Sequence, residues 1–459
     1  SSKVAKRNLN CVLYSLYGNE LPYDNHLQNL LQAKHWGFKI PKHIELNNDI
    51  NKIMDFIYSI EIKRNSLPFE IDGIVIKVNK LINQEVLGHT AKSPRWSISY
   101  KFKSQQVNTV LKNITYQVGR TGAVTPVAEL NPVHLAGSLI KRASLHNSDF
   151  IKKLDLKIGD SVIIEKGGDV IPKVVSVNLL KRNASCKDVV FISKCPACES
   201  FLKRIHNEAN YYCLNQNSCL PQKMGQVEHF ISRDAMNIYT LGSKTIELLF
   251  KESIINNIAD LYDLTIDSFI GLQGFGEKSN SSKKAENIIH SIYESKKNAF
   301  QKVLYGLGIR YVGKTVSKKL ATHFLSISKI MDSSLDDLLN VEEIGEKISL
   351  SVLDYFSNIE NRLLIERLKK SGLVFHLNAS EIKSNKLKKI SFVISGTFSV
   401  SREEIRGFIE ENGGKNTASL STKTSYLLAG ENFGSKKKDV ASKLGIPIIS
   451  EIDFKKMIE

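Results

Sequence analysis

The chain has 459 residues with 42% hydrophobic and 8% aromatic content. That is the composition of a folded protein too long for one core, and it suggests roughly three to five domains. Lysine and arginine number 64 against 47 acidic residues, a formal charge of +17, which points to a polyanionic partner. No apolar run approaches the roughly 18–20 residues needed to span a bilayer, so nucleic acid leads over a membrane, with a lysine-rich proteome as the plainer source of the charge.

Residues 1–103 alternate helical and strand patterns. The opening Ser1-Ser2-Lys3-Val4-Ala5-Lys6-Arg7 has neither an initiator Met nor a signal-peptide core, and reads as the interior of a longer protein. Leu27-Gln28-Asn29-Leu30-Leu31-Gln32-Ala33 has the spacing of an amphipathic helix, closed by a glycine stop at Gly37. Phe69-Glu70-Ile71-Asp72-Gly73-Ile74-Val75-Ile76-Lys77-Val78-Asn79 is dense in β-branched residues and reads as a strand buried on both faces. In the run that follows, Trp96, Ile98, Tyr100 and Phe102 alternate with Ser97, Ser99 and Lys101, giving one apolar face and one small polar face. Asp72, Lys77 and Lys101 on neighbouring strands then form a clamp for a phosphate and its metal. An ordinary sheet with snorkelling lysines and one turn aspartate accounts for the same residues.

Residues 104–186 change to short β-rich runs between glycine turns, which suggests a small barrel. Two turns pair glycine with a cation: Gly119-Arg120-Thr121-Gly122 and Lys166-Gly167-Gly168-Asp169-Val170-Ile171-Pro172. Such a loop fits a minor groove, with apolar side chains against sugars and cations on phosphates; taken alone, it is a tight turn. In residues 187–222, Cys195, Cys198, Cys213 and Cys219 form two thiolate pairs that close a tetrahedral zinc site with no position open for substrate. The clustering fits a reducing compartment, and Cys11 and Cys186 read as packing residues.

Residues 223–372 are helical. A theme of hydrophobic residue, glycine, short turn and helix recurs around Gly242, Gly276, Gly313 and Gly345, with Lys244, Lys278, Arg310, Lys314 and Lys347 nearby. These read as helix-hairpin-helix units whose helix N-termini present amides to phosphates; a plain αα-hairpin looks the same singly, and the first pair is less regular. Residues 377–389 are polar and read as a linker. Residues 390–459 read as an α/β unit: strand 390–395, helix 402–411, strand 425–429, helix 436–444 and strand 446–449.

Taken together these residues resemble the NAD⁺-dependent DNA ligases of bacteria. Residues 70–79 resemble that family's nucleotidyltransferase motif IV, and Ser99-Tyr100-Lys101-Phe102 its motif V. Residues 116–128 resemble its OB-fold signature, and Gly168-Asp169-Val170-Ile171-Pro172 its minor-groove loop. The resemblance implies a multidomain α+β chain: the C-terminal part of a nucleotidyltransferase (adenylation) domain (1–103), an OB-fold β-barrel (104–186), a four-cysteine zinc finger (187–222), a helix-hairpin-helix domain (223–372) and an α/β BRCT domain (390–459). It further implies that Lys77 and Lys101 hold nucleotide phosphates and that Asp72 orients a lysine or positions Mg²⁺ or Mn²⁺. By the same resemblance Arg120, Thr121, Lys166, Val170 and Ile171, with Gly276, Gly313 and Gly345, would contact nicked double-stranded DNA. The expected enzyme is a monomeric cytoplasmic, nucleoid-associated ligase using NAD, Zn²⁺ and Mg²⁺ in replication and repair, with protein contacts through its BRCT domain.

One departure stands out. The family's nucleophile lies in Lys-x-Asp-Gly, and the only Asp-Gly here, Asp72-Gly73, has Glu70 at the nucleophile position. The chain is therefore expected to begin inside the adenylation domain and to be unable to adenylate itself. A DNA-binding scaffold without chemistry, and an ATP- or GTP-using relative, are the competing readings. The clamp disfavours the first, and the zinc, helical and BRCT modules disfavour the second. In the terminal unit, Ser395, Gly396 and Lys436 are placed like a phosphopeptide pocket, against a supporting DNA or protein contact as the expected role.

Overall fold

A computed structural model describes residues 2–458, apart from 8, 19, 91, 168–170, 206–207, 276–282, 378–385, 397, 401, 418–419, 423, 431–432 and 434. Val170, Gly276 and Lys278 lie outside the described residues, as does the side chain of Lys436. Two compact units are present, residues 104–377 and residues 1–103 with 378–459.

In residues 1–103, Asn25 caps helix His26–His35 by accepting the Gln28 amide, and Gly37 at φ 92° ends the segment. Asp49 caps helix Ile50–Lys63 in the same way. Strands β1 (Gly73–Lys77) and β2 (Ser97–Lys101) form an antiparallel pair with Gly73 opposite Lys101 and Lys77 opposite Ser97. Ile74, Ile76 and Tyr100 turn toward Ile57 and Ile60 of helix Ile50–Lys63, making one apolar face. The reading of residues 69–79 as a strand buried on both faces needs correction. Only Gly73–Lys77 is extended, and Val75 on the opposite face is 57% exposed, because the described residues place an apolar layer on one side alone. The Asp-Gly step has a steric reason. A Cβ at residue 73 would stand 2.2 Å from the Tyr100 carbonyl oxygen.

Strands β3 (Gln106–Val118), β4 (Ala123–Leu135) and β5 (Ser138–Ser144) come next, then β6 (Lys157–Ile158), β7 (Ser161–Gly167), β8 (Ile171–Val177) and β9 (Lys187–Asp188). The order β4-β3-β7-β8-β5, with β5 pairing again to β4, closes a five-stranded barrel. Burial alternates along β4, and Leu111, Ala128, Val162, Ile164 and Val174 fill the interior. Two short strands from the cysteine segment, β10 (Leu202–Arg204) and β11 (Tyr211–Cys213), extend the sheet through β11 against β4. The helical region follows, and one large core joins its helices from Leu220–Ile231 to Ile359–Lys370.

The terminal unit is a four-stranded parallel sheet of β12 (Ser391–Ser395), β13 (Lys415–Asn416), β14 (Tyr426–Ala429) and β15 (Ile448–Ser450), in the order β13-β12-β14-β15. Helices Arg402–Glu411, Ser435–Lys443 and Glu451–Ile458 accompany it; the last lies beyond the elements expected there. The linker also needs correction. Leu377 donates its amide to Leu325, while Leu387 is fully buried against Phe392 and Ile409 of the terminal unit, so the segment's described ends belong to folded modules. Cys11 is exposed rather than packed.

The close crossing at Gly73 predicts that Gly73→Ala forces β1 and β2 apart and costs about 1–3 kcal/mol. Trp96 leads into β2 and is only 5% exposed, so urea unfolding followed by its fluorescence should show a lower midpoint.

Candidate nucleotide-phosphate face, zinc centre and nucleic-acid interface

The register puts Gly73, Val75, Lys77, Ser97, Ser99 and Lys101 on one face of the β1–β2 pair, opposite the apolar face. Asp72 lies just before β1, and its Oδ2 is 2.5 Å from Lys101 Nζ, with both side chains about half exposed. The hydrogen bond from Lys101 holds the Asp72 carboxyl below its usual range, with partial burial opposing and the Lys101 charge adding. Lys77 sits four rungs away, about 13 Å along the strand. Its Nζ donates to the Tyr14 carbonyl at 2.8 Å, lies 3.5 Å from His26 Nε2 and stands 4.9 Å from the Tyr14 ring centre. Burial pushes the Lys77 pKa down. Structure thus joins Asp72 to Lys101 directly and places Lys77 on the same face with partners of its own. Tyr14 and His26 carried no sequence signal as its neighbours, because they precede it by 63 and 51 positions.

The four predicted cysteines converge, with all Sγ atoms within 4.8 Å of one another. Cys195 and Cys219 sulfurs are 3.9 Å apart and Cys198 and Cys213 sulfurs 3.4 Å. Zn–S bonds of about 2.3 Å arranged tetrahedrally give S···S edges of about 3.8 Å, so the cluster fits zinc and is far too open for disulfides. This is a four-cysteine zinc site whose protein ligands complete the coordination shell. Its hairpin is sewn to the barrel: the Cys213 amide donates to the Gly122 carbonyl at 2.9 Å, and Gln222 Nε2 donates to the Cys213 carbonyl at 3.1 Å.

On the barrel, Thr121 is exposed, but Arg120 is not free to reach outward. Its guanidinium donates to the Gly308 carbonyl at 3.4 Å, and its Cβ faces Gly225 closely enough that a Cβ there would stand 3.0 Å away. Lys166 donates to Ser138 Oγ at 3.2 Å, and Ile171, across the β7–β8 hairpin, is 65% exposed.

In the helical region Gly242, Gly313 and Gly345 are the N-caps of helices Ser243–Lys251, Lys314–Phe324 and Glu346–Ser357. None has a capping side chain, and a Cβ on each would meet nothing within 4 Å. Their backbone is extended rather than left-handed, so the absence of a side chain serves access to the amides, not strain relief. The last two turns adjoin: Ser351 Oγ donates to the Arg310 carbonyl at 2.8 Å, and Lys347 Nζ lies 4.4 Å from the Tyr311 ring centre. Lys314 pairs with Asp234 at 2.5 Å.

Sequence reasoning missed Glu208. Its carboxylate accepts from Arg310 at 2.7 Å, from the Tyr311 hydroxyl at 2.8 Å and from the Tyr212 hydroxyl. Burial works to raise its pKa, but these hydrogen bonds more than offset it and leave the carboxyl below its usual range. The zinc hairpin and the turn before Gly313 are thereby tied through one acid.

Because Cys213 is both a ligand and the end of β11, Cys213→Ser is expected to lower the metal content from about one zinc per chain and to release the β10–β11 hairpin. Atomic absorption and limited proteolysis at residues 202–213 check both.

Comparison with known proteins follows the same modules. Residues 1–105 match the NAD-dependent DNA ligase adenylation domain, residues 108–186 its OB-fold domain and residues 194–220 its C4 zinc finger domain. Residues 302–365 match a helix-hairpin-helix motif, which includes the Gly313 and Gly345 turns, and residues 382–458 match a BRCT domain. The chain is 49% identical over 458 residues to a DNA ligase of Flavobacterium johnsoniae, covering 99% of this chain and 68% of that protein. It is 48% identical over 461 residues to that of Flavobacterium psychrophilum, covering all of this chain and 68% of the relative. The DNA ligase of Phocaeicola vulgatus is 49% identical over 462 residues, again with all of this chain and 69% of the relative covered. Among the described residues no helix is long and apolar enough to cross a membrane. With three ligase-specific modules and relatives this similar over nearly the whole of it, the chain belongs to the NAD-dependent DNA ligase family.

Proposed function

We propose that this chain holds nicked duplex DNA and the nucleotide phosphates in a ligase that joins 5′-phosphate and 3′-hydroxyl ends, through lysyl-AMP and DNA-adenylate intermediates, in replication and repair. The observation that carries this reading is the polar β1–β2 face, which carries the Asp72–Lys101 pair at one end and Lys77 at the other, on the side opposite the apolar layer.

Each group has a defined task. Lys77 and Lys101 stabilise negative charge that develops on phosphate oxygens as AMP is transferred and then displaced. In the unliganded face Asp72 keeps Lys101 in place through their 2.5 Å ion pair. A single half-exposed carboxylate also suits Mg²⁺ or Mn²⁺, which takes one or two carboxylates with substrate phosphates and supplies charge neutralisation there. Thr121, Lys166 and Ile171 meet the duplex at the barrel, while Arg120 fixes the Gly119–Gly122 turn against Gly308. Open amides at Gly313 and Gly345 receive backbone phosphates without reading sequence. Val170 and Gly276 are assigned to the same surface by family resemblance. The BRCT module adds a DNA or protein contact. This work is that of a cytoplasmic, nucleoid-associated monomer.

The 459 residues contain no Lys-x-Asp-Gly, so no lysyl-adenylate should form on this chain alone. Incubation with NAD⁺ labelled in its AMP moiety is expected to leave the purified chain unlabelled, and covalent labelling would overturn that part of the reading. Supplying in trans the part of a relative that this chain does not match should restore nick sealing, and Lys77→Ala or Lys101→Ala should abolish it.

The hairpins allow a sharper test. Aspartate is a good N-cap, and there is open space at both glycines, so Gly313→Asp with Gly345→Asp should leave stability unchanged or slightly raised. The two carboxylates would face phosphates instead, and affinity for nicked duplex should fall about tenfold or more at low salt. Unchanged affinity in a gel-shift titration would show that these helix ends do not meet DNA.

A further inference from the structure

We propose that His26 is a positioning residue for Lys77, holding its ammonium with neutral acceptors so that its full charge remains for a phosphate. This inference rests on the reading of Lys77 as a phosphate-holding group.

Geometry comes first. Residues 24–27 are sewn to the chain just beyond Lys77: the His26 amide donates to the Asn79 carbonyl at 2.8 Å, the Leu27 amide to Asn79 Oδ1 at 3.0 Å, and the Leu81 amide to the Asp24 carbonyl at 3.0 Å. Asn25 and Lys80 form an antiparallel bridge in the same place. The His26 ring lies 6.5 Å, centre to centre, from buried Trp96. The imidazole is therefore fixed relative to β1, and its Nε2 faces Lys77 Nζ at 3.5 Å, the outer limit of a hydrogen bond.

Chemistry then selects the form of the ring. Two cations at that distance repel, and an ammonium has donors only. Burial first, and the Lys77 charge second, bring the His26 pKa down to about 4, with the Tyr14 carbonyl opposing, so the ring is neutral near pH 7. Because the ammonium has donors only, the tautomer that suits it keeps its proton on Nδ1 and turns the Nε2 lone pair to Lys77. Of the three N–H groups on Lys77, one goes to Tyr14, one points to His26, and the third is left for a phosphate oxygen. Among the described residues no carboxylate pairs with Lys77, in contrast to Lys101, whose charge is met by Asp72. A neutral clamp orients the cation without spending its charge.

Competitive acetylation of the full 459-residue chain, read lysine by lysine by peptide mass spectrometry, tests this without requiring ligase activity. A failure of nick sealing in trans would bear on the proposed function, whereas the labelling bears on His26 alone. His26→Ala is expected to raise Lys77 labelling by about threefold or more, because one of its two ordering contacts is lost. His26→Gln, which restores a neutral acceptor, should return Lys77 to near the wild-type rate, and Lys101 should be unchanged in both. Equal Lys77 labelling in wild type and His26→Ala would overturn the proposal. So would a Gln variant that behaves like Ala, or a Lys101 rate that rises alongside, since either outcome marks a packing role.

Discussion

The hydrogen bond from the Cys213 amide to the Gly122 carbonyl is the joint on which residues 104–377 depend. Gly122 has a left-handed φ of 79°, and a Cβ there would stand 2.2 Å from the Cys213 carbonyl, so only glycine lets the barrel turn and the zinc hairpin meet. From this joint β11 continues the barrel sheet, Cys213 ligates the metal, and Tyr212 reaches Glu208 and hence Arg310 at the edge of the hairpin turns. Zinc here does no chemistry of its own. Held by Cys195, Cys198, Cys213 and Cys219, it would make a short segment with little core of its own into a rigid brace between barrel and helices.

Charge is handled differently at the two ends of the β1–β2 face. Lys101 is met by a carboxylate, Asp72, in a half-exposed ion pair. Lys77 is met by a carbonyl and an imidazole, both uncharged near neutrality. One cation is thus ion-paired, and the other is held by neutral groups. A half-exposed pair such as Asp72–Lys101 is worth little as a stability device, which fits a contact made to be exchanged.

Much of the candidate site was legible because its signals are local. Cysteine spacing announced the metal, period-two alternation announced the polar face of β2, and glycines before helices announced the hairpin N-termini. What failed was also physical. β-branched density in residues 69–79 says that a segment prefers extension but not how many layers cover it, and Val75 is exposed because one face lacks an apolar partner among the described residues. Arg120 sits beside a turn like a phosphate contact, yet its guanidinium is directed inward to Gly308, 188 positions away. Leu387 lies in a lysine-rich stretch that reads as linker, and its burial depends on residues far along the chain, such as Phe454.

By itself the amino-acid sequence determined the order of modules, the four clustered cysteines, the placing of Lys77 and Lys101 on one strand face and the absence of Lys-x-Asp-Gly, since each is a property of residue type and short spacing. Tertiary structure alone decided which cation is paired and which is held by neutral groups. It also made Glu208 the tie between zinc hairpin and helices, and it turned Arg120 into a brace. Those outcomes depend on groups brought together from tens to hundreds of positions apart, and no local pattern of charge or hydropathy encodes which distant carbonyl, carboxylate or ring a side chain will meet.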